Sequence, residues 1–260
     1  MKGSVRTFAT AVRVLRQVKN DHRTIVLLLV VPSLLIGLLN WTFNDQEMFN
    51  RIGPAMLGLF PFTIMFVLTS ITTLVERRSG TLERFLTMPL RKGEFIFGYA
   101  LAFGFLALLQ ALITLTFCVW VLDLEIQGEM WLLALVAVVN ALLGMSLGLM
   151  ASAFAATEFQ VMQLMPAFIF PQILVGGIFV PVERMPDTLQ AISNFLPMTH
   201  AISALNELAF VVDSTETVLQ EVGIIVAFIA GALALGALTL KRKTPRRRGR
   251  WQCAKTVEFT

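Results

Sequence analysis

The 260 residues are 56% hydrophobic and only 15% charged, with a formal net charge of +4. Soluble domains carry roughly a quarter charged residues, so an ordinary water-soluble enzyme is excluded. The length allows several bilayer crossings of about 20 apolar residues each and leaves little for a separate soluble domain.

The first predicted element is an amphipathic helix over 4–20. On a helical wheel Phe8, Ala11, Val12, Val14, Leu15 and Val18 share one side, and Arg6, Arg13, Gln17 and Asn20 share the other. Such a helix is expected to lie along the cytoplasmic leaflet; the alternative is a plain basic leader that sets topology.

Seven stretches contain no Asp, Glu, Lys or Arg: 24–44, 52–75, 95–122, 130–157, 159–182, 188–206 and 222–240. Six are strongly apolar and read as spans. The stretch 188–206 is not, because it holds Gln190, Ser193, Asn194, Thr199, His200 and Asn206, and Pro197 removes a backbone donor at its middle. With six spans and the N-terminus inside, nineteen of the 21 basic residues fall on the cytoplasmic side, leaving only Arg51 and Arg184 outside. That matches the excess of Lys and Arg in cytoplasmic loops. A seventh span would export the cluster Lys241–Arg250.

The predicted fold class is therefore all-α, a polytopic membrane protein with six transmembrane helices and cytoplasmic N- and C-termini. Residues 1–23 form the interfacial helix, 24–240 the transmembrane domain and 241–260 a basic cytoplasmic tail. The first apolar run reads as a signal anchor rather than a cleavable leader.

Between spans two and three, residues 76–94 are dense in charge. Glu76, Arg77 and Arg78 close the second span, and Gly80 breaks away from it. Thr81–Met88 can form a short helix with Leu82, Phe85 and Leu86 on one face and Glu83 and Arg84 at its rim. Pro89 stops it. This reads either as a docking element for a cytosolic partner or as an ordinary charged loop that obeys the charge rule.

The longest outer segment covers 177–216. Gly176, Gly177 and Pro181 suggest a broken or re-entrant end to span five, tolerable only where protein or water satisfies the freed backbone groups. Pro186 can open a helix carrying Leu189, Ile192, Phe195 and Leu196 on one side, and Pro197 ends it. Thr199 can cap a second helix bearing Ile202, Leu205 and Leu208. The alternative is an extended outer loop.

The sequence contains no G-x-x-x-x-G-K-[ST] phosphate loop, no H-E-x-x-H and no G-x-S-x-G. Cys118 and Cys253 have no metal-ligand spacing, and a disulfide between an apolar run and a basic tail is not expected. His22 and His200 read as solvated or capped histidines. The span cores carry no ionisable carboxylate or amine, which disfavours a proton- or sodium-driven carrier. Gln110, Asn140, Gln163 and Gln172 either line a substrate path or join helices by hydrogen bonds. Gly144, Gly148 and Ser152 form a small-residue ridge expected to pack against another helix of the same chain.

Two segments carry a family resemblance. Glu76–Glu94 resembles the coupling loop of ABC-2 type permeases. Gly177–Pro186, continuing through Phe195-Leu196-Pro197-Met198-Thr199-His200-Ala201, is similar to their last outer loop. The nearest flavour is that of bacterial drug-resistance and nodulation-factor exporter permeases. The resemblance implies a non-enzymatic half-transporter in the bacterial cytoplasmic (inner) membrane. A second copy, giving a homodimer, or a paralogous permease would pair with it, and two separate ABC ATPase subunits would bind ATP-Mg below. No cofactor in this chain and no nucleic-acid partner are expected; membrane lipid is.

The residues implied to couple to the ATPase are Glu76, Arg77, Arg78, Gly80, Thr81, Leu82, Glu83, Arg84, Phe85, Leu86 and Pro89. Spans one and five are implied to bracket a route for an amphipathic drug, lipid or glycoconjugate. The family often has Tyr where this chain has His200. The competing expectations are an integral-membrane lipid-modifying enzyme and a secondary carrier.

Overall fold

In a computed structural model the chain is described over residues 2–78, 92–211 and 215–239. Every element among the described residues is helical. The helix expected at Thr81–Met88 and the basic tail lie outside them.

Helix α1 (Lys2–Asn20) is followed after one residue by α2 (His22–Phe43). That residue, Asp21, caps α2: its carboxylate accepts from the Thr24 backbone N–H at 3.4 Å and from the Thr24 hydroxyl at 2.5 Å. Next come α3 (Gln46–Arg78), α4 (Lys92–Trp120), α5 (Met130–Phe154) and α6 (Glu158–Val175). A 3-10 turn (Val182–Arg184), α7 (Asp187–Asn194) and α8 (Pro197–Phe210) precede the last long helix, α9 (Thr215–Thr239). Six of these helices, α2 to α6 and α9, are long and apolar enough to cross a membrane.

The helix limits refine the uncharged stretches. Helix α3 begins at Gln46 and takes Glu47 and Arg51 into its first turns. Helix α6 stops at Val175, well before residue 182, because Gly177 turns the chain with φ +90°. The segment 188–206 is two helices rather than a span, as its polarity and Pro197 require. Two details differ from the sequence reading. Helix α7 ends at Asn194, three residues before Pro197, and Leu196 rather than Thr199 is the N-cap of α8. Pro197 occupies the first helical turn of α8, where a missing N–H costs nothing.

Helix α5 is the centre of the bundle. Buried residues make up 78% of its apolar span, against 22% for α2, 17% for α6 and 22% for α9. Helix α3 lies directly on it. A Cβ at Gly144 would come within 2.3 Å of the Phe62 carbonyl oxygen, and one at Gly148 within 2.6 Å of that of Phe66. Ser70 secures the same seam, donating to the carbonyls of Phe66 at 2.6 Å and Gly148 at 3.1 Å. The small-residue ridge thus packs within the chain, as expected.

The polar α8 segment inserts its apolar face between the spans. Ile202, Leu205 and Leu208 are buried, and Leu205 reaches Gly58 of α3. The outward faces of α2 (Leu27, Leu34, Leu38) and α6 (Phe159, Met162, Phe170) remain exposed and apolar, the character of a surface made for lipid or another helix. Trp41, Trp120 and Trp131 are exposed at the ends of α2, α4 and α5 that gather on one side of the bundle. Tryptophan favours such interfacial levels.

Candidate functional site

The bundle has two polar ends. The basal end gathers α1, the C-terminal turns of α3 and the first turns of α4, the two stems of the 79–91 segment. The distal end holds the 121–129 connection and the α6–α9 connection.

At the basal end, Ala11, Val14 and Val18 of α1 are buried in the cluster that contains Tyr99, Ala102 and Phe103 of α4. The approach is close: a Cβ at Gly98 would lie 2.8 Å from Thr10 Cβ. The amphipathic helix therefore spends its apolar face on the protein rather than wholly on lipid, while Phe8 at its other edge stays exposed. Arg13, placed by the wheel on the polar side, reaches across. One Arg13 Nη donates to Glu76 Oε1 at 2.9 Å and to the Tyr99 hydroxyl at 3.1 Å. Glu76 is buried, only 8% of its side chain exposed, at the end of α3. One guanidinium thus ties α1 to both stems of the charged segment. A buried carboxylate needs such a partner, since desolvating an unpaired charge costs several kcal/mol.

Among the predicted coupling residues, only Glu76 has a described side chain. The helices carry Arg77 and Arg78 to the edge of the described region, and Gly80 through Pro89 lie outside it.

At the distal end a chain of hydrogen bonds runs from α6 through α7 and α8 to α9. Gln172 donates to the Phe168 carbonyl at 2.8 Å and accepts from the Met198 backbone N–H at 3.3 Å. It thereby satisfies a free donor at the start of α8. The Ser193 hydroxyl donates to the Val175 carbonyl at 2.8 Å and lies 3.2 Å from the Thr199 hydroxyl. His200 Nδ1 lies 2.6 Å from Glu221 Oε2 of α9, and its Nε2 lies 3.1 Å from the Asn194 carbonyl. The Glu221 carboxylate raises the imidazole above its ordinary value of 6.5; partial burial opposes this, and the Asn194 carbonyl adds to it. Gly176, Gly177, Pro181, Pro186 and Pro197 all sit in or beside this network and mark its chain reversals.

The four span amides do not form one site. Asn140 donates to the Gly58 carbonyl at 2.7 Å, joining α5 to α3. Gln172 is the cap just described. Gln163 is exposed on α6. Gln110 is fully buried, and neither of its amide atoms has a partner among the described residues. Thr114, one turn further along α4, shares that condition. No group of three or more His, Cys, Asp or Glu able to hold a metal occurs among the described residues.

Both polar clusters escaped the sequence reading. Arg13, Glu76 and Tyr99 are separated by up to 86 positions. His200 and Glu221 lie on different helices, and the one available signal was an acidic residue immediately before the uncharged stretch that begins at 222.

Six apolar helices, with α5 at the centre of the bundle, define a multi-pass membrane protein. The model of the ABC-2 type transporter family matches residues 6–210, and the chain belongs to that family. It is 30% identical over 164 residues to ABC transporter G family member 20 of Dictyostelium discoideum, covering 63% of this chain and 22% of that protein. It is 29% identical over 161 residues to "Probable multidrug ABC transporter permease YbhR" of Escherichia coli K12, covering 62% and 44%. With the linearmycin resistance permease protein LnrN of Bacillus subtilis it shares 28% identity over 205 residues, covering 77% and 53%. The matched region thus spans about half or less of each relative. The family expectation from Glu76–Glu94 and Gly177–Ala201 is correct at the level of the ABC-2 type transporter family.

Proposed function

We propose that this permease exports an amphipathic drug, lipid or glycoconjugate across a bacterial cytoplasmic membrane, powered by separate ABC ATPase subunits that bind its basal end. The carrying observation is the Arg13 clamp. It joins α1 to α3 and α4 immediately inside the 79–91 segment, so force applied to that segment reaches three helices at once. The concentration of basic residues supports a cytoplasmic basal end. The multidrug and antibiotic-resistance names of the bacterial relatives support the cargo class.

In this reading Leu82, Phe85 and Leu86 fill a groove on the ATPase, and Glu83 and Arg84 pair at its rim. A buried Phe contributes roughly 1.5–3 kcal/mol, whereas an exposed ion pair contributes at most about 1 kcal/mol. Two chains pair through the exposed apolar faces of α2 and α6, as a homodimer or with a paralogous permease. Cargo moves between spans one and five, with Gln163 on the exposed face of α6 available to it. ATP-Mg is held by the partner, and the purified permease alone is expected to show no ATP hydrolysis.

The test is affinity purification of the permease from its native membrane, followed by identification of the co-purifying ATPase. Phe85→Ala is expected to reduce ATPase recovery and export more than Arg84→Ala, with membrane levels unchanged. If neither variant alters recovery or export, the segment is not the docking element.

A further inference from the structure

The distal His200–Glu221 pair has a feature that an ordinary ion pair lacks. Both ring nitrogens face acceptors: the Glu221 carboxylate at 2.6 Å and the Asn194 backbone carbonyl at 3.1 Å. A neutral imidazole has one N–H and one lone pair. It can satisfy one of these acceptors but then presents its own lone pair to the other. Only the doubly protonated ring donates to both. The side chains are 13% and 20% exposed, open enough to exchange a proton with solvent and closed enough for the missing bond to matter.

The two acceptors belong to different helices. Asn194 ends α7, Glu221 lies in the second turn of α9, and His200 itself is in α8. A single proton therefore holds three elements together. The Phe228 ring of α9 lies 6.2 Å from the imidazole, centroid to centroid, and forms an apolar wall of the site. Among the described residues nothing else nearby replaces the cation. The basic residues at this end are Arg51 on α3 and Arg184 on the 3-10 turn, and neither pairs with Glu221 among the described residues. On the carboxylate side, Glu207 of α8 and Glu216 of α9 do not hydrogen-bond His200, nor do Glu183 and Asp187 before α7 or Glu129 before α5.

We propose that His200 and Glu221 form a proton-dependent latch that fastens the α7–α8 hairpin to the last span, and that loss of the imidazole proton frees the hairpin. The polar chain from Val175 through Ser193 ends at Thr199, the residue before His200, so release at α9 leaves the hairpin held by α6, by the buried face of α8 and by the Gly128–Leu208 backbone hydrogen bond. The raised imidazole value fixes the sign. The latch is fully closed below about pH 6.5 and opens as pH rises through the raised value. Given the orientation proposed above, the latch faces the exterior and loosens the α7–α8 hairpin in alkaline surroundings.

The chain contains only two histidines, His22 and His200, so a His22→Gln background leaves one imidazole to observe. The test uses the full chain with ring-13C-labelled histidine in lipid nanodiscs, titrated by NMR. In that background His200 should titrate above 6.5, and Glu221→Gln should lower its midpoint by roughly one pH unit. An unchanged midpoint in Glu221→Gln overturns the latch.

A second readout is the thermal midpoint of the same preparations between pH 6 and pH 8.5. It should fall with rising pH in the His22→Gln protein and become flat in His200→Arg, which keeps a permanent cation at the site. A fall of equal size in His200→Arg also overturns the proposal. Neither measurement requires an ATPase or a cargo. Failure of the latch therefore leaves the exporter reading intact, and failure to recover an ATPase leaves the latch result intact.

Discussion

The two ends of the bundle solve one problem with different cations. Each must hold a carboxylate on a long helix, Glu76 on α3 and Glu221 on α9, against a shorter helix that packs beside the spans. The basal end uses Arg13, and the distal end uses His200. Guanidinium is a permanent cation, and imidazole is the one side chain whose ordinary titration lies between pH 5 and 8. The basal tie is thus fit to carry force continuously, while the distal tie is conditional. The proposed export function would use that asymmetry, with the driven end coupled through every cycle and the release end opening and closing.

The seam that connects the two ends should be the least forgiving element. Gly144→Leu would drive a side chain into the Phe62 carbonyl, already 2.3 Å from a mere Cβ. Overpacking of this kind costs about 3 kcal/mol. Membrane levels of the variant, measured by immunoblot, should collapse; normal levels would show that α3 and α5 can separate without loss of the fold.

Arg13→Ala comes next. It strands the buried Glu76 carboxylate, and because Arg13 itself is one-third exposed the penalty is discounted to on the order of 1–3 kcal/mol. Export should fall sharply while the chain still inserts. Glu76→Gln in the same chain should restore part of the loss, because the neutral amide no longer demands a cation. A double mutant no better than Arg13→Ala would mean that the tie to Tyr99, rather than the ion pair, carries the coupling.

Gln172→Leu should cost about 1 kcal/mol, the value of one hydrogen bond that satisfies the start of α8. It is expected to lower thermal stability slightly and at every pH alike. A pH-dependent loss would place Gln172 inside the latch.

The smallest effect is expected at Gln110. Its amide is buried without a partner among the described residues, and an apolar residue of similar size removes that desolvation cost. Gln110→Leu should leave stability unchanged or raise it slightly. If the variant is stable but export is lost, Gln110 belongs to the cargo route.

Much of this architecture was legible in the residues. Runs free of charge located all six spans, because hydrocarbon excludes ionised groups whatever the tertiary context. Gln190, Ser193, Asn194 and Pro197 removed the false seventh span for the same reason. The wheel of α1 identified Ala11, Val14 and Val18 correctly, since an amphipathic helix must bury its apolar stripe. It could not say whether that stripe meets lipid or protein, because both are equally apolar.

The charge pattern, the spans, the Gly144–Gly148 ridge and the two family segments were thus determined by the sequence alone, each being a local property of spacing or composition. The partners of Arg13 and His200 were decided only by the tertiary structure. A polar side chain on a helix surface has more than one partner that sequence spacing alone would allow. Which distant carboxylate it meets depends on how α1 lies on α4 and how α8 enters between α3, α5 and α9. That docking is fixed by packing across the whole bundle, with contacts up to 86 residues apart, and no short stretch of sequence contains it.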